Sequence, residues 1–487
     1  MSWRAWGVSL ILLVGAAWRL WLTSVYAGWE ESDYGNLAMV RGVLDGGFRH
    51  YDMNHMPGYY ALGAVALAIT GDAVVAARGV SLLGGLVALA LAITLTHRLA
   101  GPVAALVAGL LLAFQPEFAL YAASSLREPV YAAFVMAALL SLSHERLSLA
   151  GLFVGLGFLV RFDAALALGP ALALHALGRP QRARRLAQAF APLLLIVAAW
   201  SAYCRLDHGT FLFWSHAVAV NVETGLGEES QGLVAWALAG LSVAGRLLAG
   251  TLPHRVGIGI WLAGIASVAW LPWRRHGLHR TWAVAAGGML GVWAGIGFVG
   301  QHDPAHNLYW KWLCPIIPVI VPLGVAGLFH ALRRLSPAWK HAVVAVVVAQ
   351  ALWTGLQETH RQWALSEAWY RPQLDLAQSI ERDIPASVPL VLDNIPACWI
   401  NRRHHERAMT SWFDVPSAPG SEADFSRWLR DEEVGWVLWF REEWTQAPVI
   451  APFLADGGVW RGYGVRLVEK GREDGYGWIW FEVQRAP

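Results

Sequence analysis

The chain has 487 residues, of which 56% are apolar and only 15% charged, with a formal net charge of +2 and a mean hydropathy of +0.42. A soluble chain carries about 25% charged residues, so much of this surface faces something other than water, and so small a net charge excludes nucleic acid as partner. Three widely separated cysteines, Cys204, Cys314 and Cys398, exclude a disulfide scaffold and a thiolate zinc site as the organising feature.

A membrane helix needs roughly 20 mainly apolar residues, because backbone groups cannot go unbonded in lipid. Taken in order, the apolar runs predict spans near 7–25, 74–96, 102–122, 129–143, 148–160, 163–177, 186–203, 255–272, 281–299, 311–331 and 341–356. The first run has no small-residue cleavage site after it and reads as a retained helix rather than a signal peptide. Residues 57–70 are too short for a span, and 231–252 carry Arg246, so both are expected to lie as juxtamembrane helices on the surface.

Lys and Arg in short loops mark the cytoplasmic side. Arg98, Arg146, Arg179–Arg185, Arg274–Arg280 and Arg333–Lys340 all fall on the side of Arg4 when eleven spans are threaded. The opposite loops, 26–73, 123–128, 204–254 and 300–310, hold the Asp, Glu and His residues. From residue 358 charged residues and prolines return. A helix near 373–382 and strands near 388–393, 434–440 and 478–484 predict a small α/β domain. The expected fold is thus an all-α polytopic membrane protein of about eleven transmembrane helices plus juxtamembrane helices, residues 1–357, with a soluble α/β domain, 358–487. Its N-terminus is cytoplasmic and its C-terminal domain extracytoplasmic, in a cell inner (plasma) membrane.

The first outer loop concentrates chemistry: Glu30, Glu31 and Asp33 follow the first span, then Arg41, then His50, Asp52, His55 and Pro57. Two readings of the acidic run stand. Ser32 or Asp33 caps the helix that follows, or Asp33 is a general base or acceptor-orienting carboxylate at the membrane surface. The histidines are ordinary interfacial hydrogen-bonding residues or ligands for a divalent metal, although their spacing is not a helical i, i+4 pair. Glu128 lies in the second outer loop, on the same side as Asp33. Arg78, Arg161 and Asp163 sit in or beside apolar runs, where charge is expensive, and Arg161 and Asp163 are placed to neutralise each other. Lys311 opens a late span just after Tyr309. Arg78 and Lys311, both at the outer face, suit a lipid-linked phosphate. No Walker A loop, and no GxGxxG followed by an acidic residue in a strand–helix context, points to a nucleotide.

In this order the motifs resemble the GT-C class of polyprenyl-phosphate-sugar-dependent glycosyltransferases, especially its protein O-mannosyltransferase and aminoarabinose transferase branch. The resemblance runs over roughly residues 5–330. It rests on the acidic motif Glu30–Asp33, the turn at His55–Tyr60, the segment Gly71–Ser81 around Arg78, Glu128, the stretch Gly155–Asp163, and Tyr309–Pro315 around Lys311. Met56 departs from the usual proline of the turn, Lys311 stands where many relatives carry arginine, and 204–254 holds no β-trefoil insert. The resemblance implies inverting transfer from a polyprenyl-phosphate-linked sugar to a lipid, glycan or protein hydroxyl, either without cofactor or with a loosely held divalent metal. Asp33 would act on the acceptor, with Glu128 and His55 assisting, and Arg78 and Lys311 would hold the leaving phosphate. Glu30, Glu31, Arg41, Arg161 and Tyr309 would line the donor or acceptor. The competing expectation is a carrier or flippase of lipid-linked saccharide.

Overall fold

A computed structural model of the chain describes residues 3–28, 31–48, 56–211, 233–251, 260–266, 278–300, 313–392, 394–403, 408–410, 422–440, 458–462, 464–473 and 478–485. Within these the chain forms helices α1 (Trp3–Val25), α2 (Glu31–Gly46), α3 (Pro57–Thr70), α4 (Ala73–Ala100), α5 (Pro102–Phe114), α6 (Pro116–Ala123), α7 (Glu128–Ser143), α8 (Leu147–Val160), α9 (Ala164–Leu177) and α10 (Arg182–His208). Then come α11 (Leu233–Arg246), which continues as one π turn, α12 (Leu278–Gly300), α13 (Ile317–Ala331) and α14 (Pro337–Asp383). Among the described residues four helices are long and apolar enough to cross a membrane: Trp6–Val25, α4, Arg182–Asp207 and α14. Their large apolar side chains lie bare, with Leu13 at 68%, Leu195 at 72% and Val346 at 68% exposure, as lipid-facing positions require.

The expected span 102–122 is broken: α5 and α6 meet at Gln115 with a bend of 58°. Pro116 cannot donate to the preceding turn, and Gln115 turns extended and caps α6 by accepting from the Phe118 amide at 2.7 Å. The helix expected at 373–382 is not separate either. It is the end of α14, whose 47 residues run through the polar switch at 358 and over Pro372.

The chain divides into two compact units. The first holds 1–25, 48–62 and 78–362; the second holds 26–47, 63–77 and 363–487. In the first unit α7 packs on α8, α8 on α10, and α9 on α12. Backbones approach closely where glycine faces a neighbour, as is common between membrane helices. A Cβ at Gly151 of α8 would stand 1.9 Å from the Ala189 carbonyl oxygen of α10. Gly151→Val is expected to destabilise the bundle by about 1–3 kcal/mol through overpacking, read as a lower thermal midpoint in detergent.

Three of the basic loops meet in this unit. Arg98 donates to the Ser143 carbonyl at 3.1 Å, and Glu145 binds Arg179 at 2.7 Å and Arg185 at 2.8 Å. Partial burial pulls the Glu145 carboxyl upward, but the Arg185 hydrogen bond and the His175 and Arg179 charges outweigh it and hold it below the usual range.

The second unit carries a six-stranded sheet in the order β2-β1-β3-β6-β5-β4. The strands are β1 (Leu390–Leu392), β2 (Ala408–Thr410), β3 (Trp436–Phe440), β4 (Val459–Arg461), β5 (Val465–Glu473) and β6 (Trp478–Arg485), with α15 (Asn394–Asn401) and α16 (Glu422–Asp431) between them. β1 runs parallel to β2 and β3, while β3, β6, β5 and β4 are antiparallel. The period-2 alternation sends Val391, Val437, Ile479 and Phe481 to one core, with Phe425 and Leu429 of α16. Leu390, Leu392 and Leu438 go to the other, with Leu376 and Ile380 of α14.

Candidate active site

Three segments of the first unit converge. Arg161 is the extended residue that ends α8, Asp163 precedes α9, and Glu128 opens α7 with Pro129 behind it. The Arg161 guanidinium donates from Nη1 to Glu128 Oε1 at 3.0 Å and from Nε to Asp163 Oδ1 at 3.0 Å. Its Cζ stands 5.8 Å from the centre of the Tyr131 ring. Arg127 Nε lies 3.6 Å from the same Glu128 oxygen. The Glu128 side chain is 1% exposed. Mutual neutralisation of Arg161 and Asp163 is therefore only half of the arrangement: one guanidinium holds two carboxylates in a buried site. Among the described residues Glu128 Oε2 and the Tyr131 hydroxyl are buried without a hydrogen-bond partner. A buried carboxylate oxygen in that state is costly and points to a role beyond packing.

Small residues bring α4 and α3 to this cluster. The Ser81 hydroxyl binds the Leu126 carbonyl at 2.6 Å and the Tyr59 hydroxyl at 3.0 Å. A Cβ on Gly84 would lie 2.8 Å from the Val130 backbone, and one on Gly58 2.8 Å from the Leu159 carbonyl oxygen. Arg78, one turn before Ser81, is 8% exposed and donates to the Thr23 carbonyl at 3.2 Å. Cys314, buried in the segment that follows Lys311, lies within electrostatic reach of Glu128, Arg19, Glu117 and Arg161. His55, Tyr309, Lys311 and Glu30 lie outside the described residues, as does the metal reading of His50, Asp52 and His55.

Asp33 belongs to the second unit. It is fully buried in the first turn of α2, so neither it nor Ser32 stands before the helix as its cap. Around it the Tyr34 hydroxyl donates to the Ala27 carbonyl at 2.7 Å and the Gly28 amide to the Ser366 hydroxyl at 3.2 Å. Tyr26 bonds to Ser366 and lies in the field of Asp33, and the Tyr34 ring packs on Tyr370 and Trp399. Glu31 opens the same helix. Arg41 instead pairs with Asp45 at 2.8 Å on a half-open face of α2.

Arg19 escaped the sequence reading. It sits in α1, fully buried, and donates to the Leu112 and Ala113 carbonyls at 3.3 and 3.1 Å. These are the orphan acceptors that the break after α5 creates. Its ring neighbour is Phe118 at 5.1 Å. Glu117, 1% exposed in the first turn of α6 and bonded to Gln115, was missed too. The available signal was a charge inside an apolar run, and a Gln-Pro step inside another.

Residues 54–205 match the family model described as dolichyl-phosphate-mannose-protein mannosyltransferase, a stretch that contains Arg78, Glu128, Arg161 and Asp163. Among solved structures, ArnT from Cupriavidus metallidurans in the apo state is similar over 99% of this chain and 97% of its own, at 14% identity and a TM-score of 0.61. The same protein bound to undecaprenyl phosphate covers 99% and 98%, at 14% identity and a TM-score of 0.63. The Archaeoglobus fulgidus oligosaccharyltransferase tethered with an acceptor peptide containing the NVT sequon aligns over 90% of this chain and 69% of its own, at 13% identity and a TM-score of 0.53. At such identity the likeness to the solved structures is one of fold. No curated protein matches in sequence. The resemblance read from the order of the motifs is borne out by the family model and the fold.

Proposed function

We propose that the chain is a membrane glycosyltransferase of the GT-C class, a reading supported by the family model over residues 54–205 and by the likeness of fold, and that it moves a sugar from a polyprenyl-phosphate donor to a lipid, glycan or protein hydroxyl at the outer face of the membrane, with inversion. The acceptor oxygen attacks the anomeric carbon, the bond from that carbon to the phosphate oxygen breaks, and polyprenyl phosphate leaves with the electron pair. Asp33 takes the acceptor proton, Glu128 and His55 assist, and Arg78 and Lys311 hold the phosphate as charge grows on it. Glu30, Glu31, Tyr309 and Arg161 serve binding, Arg161 by fixing Glu128, and Arg41 flanks the acidic motif. The charge map supports an N-terminus in the cytoplasm and a C-terminal domain outside, where a lipid donor needs no nucleotide.

The observation that carries this reading is the buried Glu128–Arg161–Asp163 cluster inside the stretch that matches the mannosyltransferase family model. The test is reconstitution in vesicles made from membrane lipid extract carrying labelled polyprenyl-phosphate sugars. Label should appear on a lipid, glycan or protein acceptor. Arg78→Ala should raise the KM for the donor roughly 10- to 100-fold, the loss of one charge-assisted contact of about 1.5–3 kcal/mol. Label that changes leaflet without being transferred would overturn the proposal in favour of a carrier.

A further inference from the structure

The second unit contains a cavity of about 680 Å³ between the C-terminal half of α14 and the sheet. It opens to solvent on one side, and its volume lies within the range of about 300–1,000 Å³ typical of small-molecule sites. Its two sides differ in chemistry. On the sheet side Trp436 of β3 and Trp480 of β6 reach it from one face, Trp480 pairing with Leu438 two residues beyond Trp436. Both indoles are partly buried against the leucine core beneath. Trp480 is held in place by the irregular step in β5: at Gly471 a Cβ would stand 2.2 Å from its ring, so only glycine lets the indole lie there.

On the helix side Glu367, Arg371, Asp375, Ser379 and Asp383 recur every fourth residue and all line the cavity, beside the apolar Pro372, Leu376, Ile380 and Ile384. A spacing of four keeps one stripe of an α-helix turned the same way. Glu367 binds Arg371 at 2.9 Å. Asp383 pairs with Arg382 at 3.0 Å, so three carboxylates against two guanidiniums leave this side formally at −1, which disfavours a phosphate, a sulfate or a nucleotide. An acyl chain would match the apolar lining but would also press hydrocarbon on carboxylates and a hydroxyl and strip their water without replacing it. A sugar ring meets both sides. Its C–H face packs on an indole, and its hydroxyls donate to carboxylates, which accept only.

We propose that this cavity is a subsite for a short, uncharged saccharide, the glycan that accepts the transferred sugar. Its place in transfer rests on the glycosyltransferase reading above; its binding chemistry does not.

The full-length protein in lipid nanodiscs is titrated with mannobiose, lactose and cellobiose, followed by saturation-transfer NMR and calorimetry, with a sialylated trisaccharide as the anionic control. At least one neutral disaccharide should bind and the control should not. Trp480→Ala should weaken binding roughly tenfold. Asp375→Asn, at an exposed position where the fold is not at stake, should weaken it severalfold. Absence of binding by all three, equal binding of the anionic control, or unchanged affinity in both variants overturns the subsite. Disaccharide binding without label transfer supports the subsite and counts against the transferase reading alone. Transfer to the disaccharide with an unchanged acceptor KM in Trp480→Ala counts against the subsite alone.

Discussion

Asp33→Asn is expected to lower the rate of sugar transfer roughly 10²- to 10⁴-fold, the usual contribution of a positioned proton acceptor, while polyprenyl phosphate binds as before. Asparagine has the same shape but no longer takes up a proton, so the acceptor hydroxyl must attack with its proton still bound. Asp33 is fully buried in the electrostatic field of Tyr26, an asparagine fills the same volume, and α2 keeps its packing on α15. Single-turnover label transfer separates the chemical step from donor binding. A variant with full transfer would remove Asp33 from the mechanism and leave Glu128 as the nearest candidate by chemistry.

What the sequence made legible follows from which signals are local. The starts and ends of α7, α8 and α9 could be read to within one residue, and α1, α4 and α10 to within five at either end, because a run of apolar residues bounded by charged or helix-breaking residues needs no partner to be recognised. The break at Gln115 disappeared because hydropathy averaged over about 20 residues smooths across one polar residue and one proline. α14 was cut short at 358 because polar composition suggested a loop. Yet Gln357, Glu358, Arg361, Gln362 and Ala364 are good helix formers, and the helix continued through them. β2 and β4 have three residues each, too few for alternation to register.

The site divides along the same line. Glu128, Arg161 and Asp163 stood out singly because a charge beside an apolar run is expensive. That one guanidinium holds both carboxylates depends on bringing residue 128 to residue 161, a separation no local pattern encodes. Arg19 sent the same signal from inside the first span, but its purpose, supplying donors to the freed carbonyls of a broken neighbour helix, exists only once α5 has been seen to end.

The largest effect on stability is expected from Arg161→Met. Removing the guanidinium leaves Glu128 and Asp163 facing each other in a site where their side chains are 1% and 12% exposed. Stranding a buried charge in this way typically costs about 3–5 kcal/mol, whereas replacing a whole buried ion cluster by neutral residues is often nearly free. Arg161→Met combined with Glu128→Gln and Asp163→Asn should therefore regain most of the lost stability. The three cysteines are buried and free, so a thiol-reactive dye added during heating reports unfolding directly. Transfer should behave differently. If Arg161 serves to aim Glu128, the neutral triple variant stays inactive although it is folded, and Arg161→Lys recovers part of the activity. Recovery of transfer together with stability in the triple variant would reduce the cluster to a structural clasp and shift the chemistry onto Asp33 and the phosphate-binding cations.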